Sequence, residues 1–295
     1  MLNESMAQVK TLVEALPYLK KFKGATVVIK YGGHAMLNSE LKEQVLQDII
    51  FLQFAGLKPV VVHGGGPEIT SLLKQLGKKS EFINGLRVTD EETMAIAEMV
   101  LVGKINTELV AMLNKQGSKA IGLSGKDGNL IVARKYLSDI YENGEIKSVD
   151  IGFVGDVEQV NIELIETLLT AGYIPIIAPI GVGINGESYN INADSVAGEI
   201  AGALKAEKLL LLTDTKGIYS DFGDEDSFIT TLSFESAQEL MNEGKIDGGM
   251  IPKVKACVTA LAAGAKKTHI VDGRQPHTIL LEIFTDSGVG TEVIR

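Results

Sequence analysis

Thr26-Val27-Val28-Ile29-Lys30-Tyr31-Gly32-Gly33 and Pro59-Val60-Val61-Val62-His63-Gly64-Gly65-Gly66-Pro67 decide how this chain folds. Each is a short β-branched run that ends on a polar residue and breaks into glycine. Runs of this length and composition read as buried strands. After the second, Gly66-Pro67 leads into a helical stretch over 68–76, since proline suits a first helical turn. Strand, glycine turn, helix is how an α/β protein offers backbone N–H groups to phosphate, because only glycine lets the main chain approach so closely. Lys30 adds a cation to the first turn. Lys253 follows Gly248-Gly249-Met250-Ile251-Pro252 and opens another helix. Two lysines beside glycine clusters point to phosphoryl transfer, where cations balance the charge on the moving group.

Working outward, further strands are expected over 119–123, 173–180, 208–213 and 268–271, with helices over 39–54, 90–115, 161–171, 193–204, 234–243, 253–263 and 277–284. The strands are nearly continuous apolar runs, the pattern of a sheet covered on both faces. The fold class is therefore α/β, a three-layer α/β/α sandwich with a mainly parallel central sheet and two lobes. Thr89 and Glu92 read as a capping box for the helix at 90–115. Residues 130–160 break the alternation and read as β-hairpins over the sheet edge. The polar Lys205-Ala206-Glu207 marks the lobe boundary, giving an appended helix at 1–23, a first lobe at 24–205 and a second at 206–295. A site using both lysines then lies in the crevice at the carboxyl ends of the strands.

Bulk properties narrow the function. The chain has 295 residues, 45% hydrophobic and 22% charged, ordinary for a soluble enzyme. A net charge of −10 argues against a nucleic-acid partner, which requires a basic footprint. It leaves room for an anionic ligand in a locally basic cleft. The apolar runs are too short to span a membrane, and the N-terminus carries Glu4, Lys10 and Glu14 where a signal peptide is apolar. A single cysteine, Cys257, fits a reducing compartment and reads as core. The expected location is the cytoplasm, or the plastid stroma for an organelle-encoded chain.

Other motifs are weighed against plainer readings. Gly181-Val182-Gly183-Ile184-Asn185-Gly186 matches a dinucleotide fingerprint, but Glu187-Ser188-Tyr189-Asn190 intervenes where the helix should begin. Arg87, in Gly85-Leu86-Arg87-Val88-Thr89, carries a fork suited to a carboxylate, although an isolated surface ion pair is the commoner use. Within Asn190-Ile191-Asn192-Ala193-Asp194, Asp194 reads either as a helix cap or as the carboxylate that orients the two lysines. A unit charge pair at about 4 Å is worth roughly 4 kcal/mol at an effective dielectric of 20, enough to hold such a geometry. Val9, Leu12, Val13, Leu16 and Leu19 form an apolar stripe on the N-terminal helix, to be buried on its own chain or on a partner subunit.

Together, Val28-Ile29-Lys30-Tyr31-Gly32-Gly33, Val62-His63-Gly64-Gly65-Gly66-Pro67, Gly85-Leu86-Arg87-Val88-Thr89, Met99-Val100-Leu101-Val102-Gly103-Lys104, Asn190-Ile191-Asn192-Ala193-Asp194 and Gly248-Gly249-Met250-Ile251-Pro252-Lys253 resemble the acetylglutamate kinases of the amino acid kinase superfamily. The resemblance runs from about Ala15 to the C-terminus. It implies ATP-dependent phosphorylation of N-acetyl-L-glutamate, with Mg2+ carried by the nucleotide and no metal held by protein side chains. It makes Lys30 and Lys253 the cations of the transfer and Asp194 their orienting carboxylate. The N–H groups of Gly33, Gly65 and Gly66 would line the phosphoryl path, Gly65 and Gly66 also touching the acceptor. Arg87 and Asn190 would hold its α-carboxylate, and Thr213, Asp214, Lys216 and Gly249 would serve the nucleotide.

The appended helix resembles that of the arginine-inhibited members, which are hexamers built as trimers of dimers. On that likeness His269, Glu282 and Gly288 would bind L-arginine. Some relatives also answer to a nitrogen-signalling protein of the PII kind. His34, after Gly32-Gly33, departs from the small residue expected there. The alternatives are a relative acting on glutamate, aspartate, carbamate or UMP, and a non-catalytic arginine sensor.

Overall fold

Eight strands form the central sheet of the computed structural model: β1 (Thr26–Tyr31), β2 (Lys58–His63), β3 (Ala120–Ser124), β4 (Ile174–Ala178), β5 (Lys208–Thr213), β6 (Thr231–Ser233), β7 (Lys267–Asp272) and β8 (Thr291–Ile294). The structure describes residues 2–295 except 37, 143, 144, 222, 247, 286 and 287. The side chains at 2–5, 7, 8, 11, 12, 34, 35, 141 and 142 are also outside the description, so the His34 departure and the Leu12 position in the apolar stripe lie beyond it.

The strands follow the order β6-β8-β7-β5-β1-β2-β4-β3. β1 pairs in parallel with β2 on one side and β5 on the other. Chain order therefore reverses at β1, which opens a crevice at its carboxyl end, where Lys30 sits. The sheet runs unbroken across the boundary expected near residue 205. Only β6 and β8 run against the rest, β8 pairing antiparallel with β7.

Burial explains the apolar strands. Val27 and Ile29 face one core and Val28 the other, and all three are inaccessible to solvent. Each such side chain contributes about 1.5–3 kcal/mol on leaving water. The first core is closed by α2 (Ser39–Phe54), α3 (Gly66–Gln75), the run of α4 (Glu91–Glu98) through a π-helical turn (Met99–Asn106) to α5 (Thr107–Lys115), and α10 (Thr278–Phe284). The second is closed by α6 (Glu163–Thr170), α7 (Ala193–Ala203), α8 (Phe234–Asn242) and α9 (Met250–Ala263). This is the three-layer α/β/α sandwich expected. Helix α1 (Leu2–Phe22) lies outside the layers and touches α10.

Three details differ from expectation. The cap of α4 is Asp90, whose carboxylate accepts from Thr93 N, while Thr89 Oγ1 donates to the Arg87 carbonyl instead. The expected strand at 173–180 splits into β4 and a short strand, Ile180–Val182, with proline at the join. Residues 130–160 form one long hairpin, Ile131–Glu142 with Glu145–Val160, closed into a small barrel by Ile180–Val182 and Ser188–Ile191. The glycines at 152 and 155 lie within the second hairpin strand. Gly152 has φ +87°, and a Cβ there would collide with the Thr89 carbonyl, so glycine lets the hairpin seal against the Arg87 segment. In the α1 stripe, expected to be buried on its own chain or on a partner, Val9, Val13 and Leu16 are exposed and Leu19 is partly buried.

Candidate active site

Lys30, at the end of β1, and Lys253, in the first turn of α9, converge on one carboxylate. Lys30 Nζ lies 3.0 Å from Asp194 Oδ1 and Lys253 Nζ 3.0 Å from Asp194 Oδ2. Asp194 occupies the first turn of α7, whose cap is Asn192; the Asn192 side chain accepts from Asp194 N at 2.8 Å. Asp194 is therefore no cap. It meets the positive end of the helix as well as two ammonium groups. Burial works against its charge, but Lys30 and Lys253 outweigh that and hold the carboxyl below the usual range. One carboxylate against two lysines leaves the cluster with a net positive charge.

The two glycine turns meet beside it. A Cβ on Gly32 would stand 3.1 Å from Lys30 Nζ and 3.7 Å from Gly64 Cα. Gly64 N donates to the Tyr31 carbonyl, lashing the second turn to the first. At Gly65 a Cβ would collide with Ile105 Cδ1 and come 2.7 Å from Leu101 Cδ2. Gly65 thus packs closely against the π-helical turn, where any larger residue would have to displace the ends of Ile105 and Leu101, and a helix start of this kind offers N–H groups to an anion.

Next to Gly64, Gly65 and Gly66 is a cavity of about 180 Å³, walled by Phe82, Leu86, Leu101, Val154 and Ile191 and bordered by Arg87 and Asn190. Arg87 is buried; it donates to Ser80 Oγ, the Gly66 carbonyl and Thr70 Oγ1, and its guanidinium stacks 4.7 Å from the Phe82 ring. Burial lowers its pKa, so the site favours an anion that would restore its solvation. Asn190 Nδ2 is 3.5 Å from Thr89 Oγ1.

Of the residues expected at the nucleotide, Thr213 ends β5 and its carbonyl accepts from Gly273 N. Asp214 faces the first glycine turn, where a Cβ on Gly33 (φ +72°) would lie 3.0 Å from its Oδ1. The Gly249 carbonyl is 3.4 Å from Lys253 Nζ. Lys216 Nζ sits 4.3 Å over the Phe228 ring.

Away from the crevice, His269, Glu282 and Gly288 form a second cluster. His269 Nδ1 is 2.7 Å from Glu282 Oε1, Val289 N donates to Glu282 Oε2, and a Cβ on Gly288 would lie 3.2 Å from the same carboxylate. Burial lowers the His269 pKa, with Glu282 pulling the other way. Lys208, not singled out from sequence, reaches the Glu282 carbonyl and lies 5.7 Å from the Phe22 ring of α1. Its position at the start of an apolar strand gave no distinctive signal.

Sequence reading also missed Asn106. This buried amide reaches the ring of His63 and the Ile176 carbonyl. The available signal was a polar residue on the apolar face of a helix, following Val100, Leu101 and Ile105.

Comparison with known proteins shows the family of the chain. The model of the amino acid kinase family matches residues 25–272. The chain is 61% identical over 283 residues to the acetylglutamate kinase of Moorella thermoacetica, covering 96% of each. It is 58% identical over 285 residues to that of Heliobacterium modesticaldum, covering 96% of this chain and 97% of the relative. Among solved structures, the N-acetylglutamate synthase of Neisseria gonorrhoeae in complex with coenzyme A and N-acetyl-glutamate superposes with a TM-score of 0.83 at 26% identity, over 97% of this chain and 63% of that one. The same synthase complexed with coenzyme A and L-arginine gives 0.78 at 25% identity, over 97% and 65%. Carbamate kinase from Giardia lamblia bound to AMP-PNP shares the fold, with a TM-score of 0.65 at 18% identity over 92% and 98%.

Proposed function

The chain belongs to the amino acid kinase family, among its acetylglutamate kinases, and from this we propose how its crevice phosphorylates N-acetylglutamate. The observation that carries the reading is the single buried carboxylate of Asp194 held between Lys30 and Lys253. The acceptor would lie in the cavity beside Gly64 to Gly66, its α-carboxylate against Arg87 and Asn190 and its γ-carboxylate toward the lysines.

A carboxylate is already ionised at neutral pH, so the attacking oxygen needs no general base. His63, at the end of the neighbouring strand, is buried and bonded within the fold, in keeping with this. The acceptor oxygen forms a bond to the γ-phosphorus of ATP as the bond to the bridging oxygen breaks, and ADP departs. When bound, ATP supplies the phosphoryl group and its Mg2+ neutralises part of the charge. The protein contributes position and positive charge, since nucleophile and phosphate repel each other. Lys30 and Lys253 face the charge that builds in transfer, and Asp194 sets their orientation beforehand, so little reorganisation is left for the reaction itself. The glycine turns suit a polyphosphate because glycine puts no side chain of its own over the backbone N–H groups. We assign residues 24–205 to the acceptor and 206–295 to the nucleotide, with Thr213, Asp214 and Gly249 at the nucleotide side.

Incubation with MgATP, each candidate acceptor and hydroxylamine tests the reading, because hydroxylamine traps an acyl phosphate as hydroxamate. Hydroxamate from N-acetyl-L-glutamate, and none from glutamate or aspartate, is expected. The reverse preference would assign the acceptor site to another substrate.

A second reading concerns control. Glu282, His269, Lys208 and Gly288 gather under the end of α1, a charged cluster remote from the lysine pair. L-Arginine, with a guanidinium for Glu282, would suit it and would couple α1 to activity. Deleting residues 1–20 should leave turnover intact and remove any inhibition by arginine; inhibition that survives the deletion would refute the coupling.

A further inference from the structure

We infer that His63 is a positioning residue for the phosphoryl transfer: by donating from Nδ1 to the Gly64 carbonyl, in a tautomer set by Asn106, it aims the Gly65 N–H into the crevice. This rests on the role given above to the glycine turn.

His63 is fully buried at the end of β2, and each ring nitrogen has one partner. Nδ1 lies 2.9 Å from the Gly64 carbonyl oxygen, and Nε2 lies 3.1 Å from Asn106 Nδ2. A carbonyl only accepts and an amide NH2 only donates. One tautomer satisfies both contacts, with the proton on Nδ1 and Nε2 bare. The orientation of the Asn106 amide is set in turn by its surroundings. Its Nδ2 donates to the Ile176 carbonyl at 2.8 Å, and its Oδ1 fills the space that a Cβ on Gly122 would need. Reversing the amide would place oxygen against the Ile176 oxygen and remove the donor to His63.

The consequence reaches the turn through the geometry of the peptide unit. A trans peptide directs its C=O and N–H to opposite sides. With the Gly64 carbonyl drawn toward the buried ring, the N–H of the same unit, that of Gly65, is turned away from it, to the side where the turn lines the acceptor cavity. The preceding unit is fixed independently by Gly64 N donating to the Tyr31 carbonyl. From beneath, Leu101 and Ile105 press on Gly65. Asn106, Leu101 and Ile105 all belong to the π-helical turn Met99–Asn106, so one local distortion of the helix supplies both the packing and the hydrogen bond behind the loop. Burial lowers the His63 pKa to about 4, so the ring keeps this donor throughout the neutral range. It takes no proton from the acceptor. A histidine that merely fills the core would also be buried and satisfied, and two substitutions separate the cases.

Asn places its amide where Nδ1 stands, and Gln places its amide where Nε2 stands. The test is kcat and KM for N-acetyl-L-glutamate in His63→Asn and His63→Gln, each first checked for folding by its denaturation midpoint. His63→Asn keeps the donor to Gly64 and should retain kcat within about fivefold, whereas His63→Gln should lose about a hundredfold, the scale for a misaimed oxyanion donor, with KM changed far less. Equal kcat in the two folded variants, whether high or low, would overturn the inference. The wild type supplies a measurement that needs no substitution: nitrogen NMR of 15N-histidine-labelled protein should show His63 protonated on Nδ1 and not titrating between pH 5 and 9. A proton on Nε2 would overturn it as well. If the wild type forms no acyl phosphate from any acceptor, the functional reading fails and the inference fails with it.

Discussion

Lys253 Nζ lies 3.0 Å from Asp194 Oδ2, a contact between residues 59 apart in the chain that ties the start of α9 to the start of α7. Lys30 takes the other oxygen of the same carboxylate, so if either lysine swings away one oxygen of a buried carboxylate loses its ammonium partner. The crevice is thus charged and ordered before any ligand arrives.

Asp194→Asn should therefore impair both fold and function. It removes the anion between two ammonium groups, and breaking a buried ionic contact in this way costs about 3–5 kcal/mol. Urea unfolding should show a loss on that scale, and kcat should fall by a hundredfold or more. A variant of normal stability and turnover would mean that the carboxylate is not the organising group.

Two glycines should differ in a way their sequence context conceals. At Gly65 an added methyl meets the flexible ends of Ile105 and Leu101, which can shift. At Gly152 it meets the Thr89 backbone, in a residue with φ +87°. Gly65→Ala should cost about 1–3 kcal/mol, the range for overpacking, and raise KM for the acceptor. Gly152→Ala should cost more, because backbone cannot yield and the left-handed conformation is strained for alanine. Equal denaturation midpoints for the two would contradict this.

His63 contributes to the pH dependence of stability, in the same direction as the buried His269. The folded pKa of His63 is depressed to about 4, below the ordinary value of 6.5. Between these values the unfolded chain binds a proton that the folded chain excludes, so stability rises with pH across that window. It should be fully present above 6.5 and be lost as pH falls through 4. Asp194, also depressed, acts in the same direction at lower pH. His63→Asn, which does not titrate, should flatten the part of the curve between 4 and 6.5; an unchanged slope would mean that other groups dominate it.

How much of this was legible in the sequence depends on whether the signal was local. The strands ending at Lys30 and His63 were readable because continuous Val and Ile runs have one stable use, inside a doubly covered sheet. The glycine turns were readable because glycine beside a strand end has a specific backbone purpose. Asp194 was readable only as one of two options, since a carboxylate in a helix's first turn looks the same whether it caps or binds. What distinguished them was Asn192 taking the cap, a choice between neighbours that tertiary packing makes. The small barrel was out of reach because the pairing of Ile180–Val182 with the hairpin joins residues distant in sequence. Asn106 and Lys208 were missed for the same reason: each has polar neighbours in sequence that make it ordinary, and its partners lie on other elements.

The most direct test of the central claim is kcat for Lys30→Ala and Lys253→Ala with saturating MgATP and N-acetyl-L-glutamate. If the lysine pair stabilises the transferring group, each variant stays folded and loses about a hundredfold or more, the cost of removing an oxyanion-type donor. Near-normal turnover in both would contradict the account and move the catalytic charge elsewhere in the crevice.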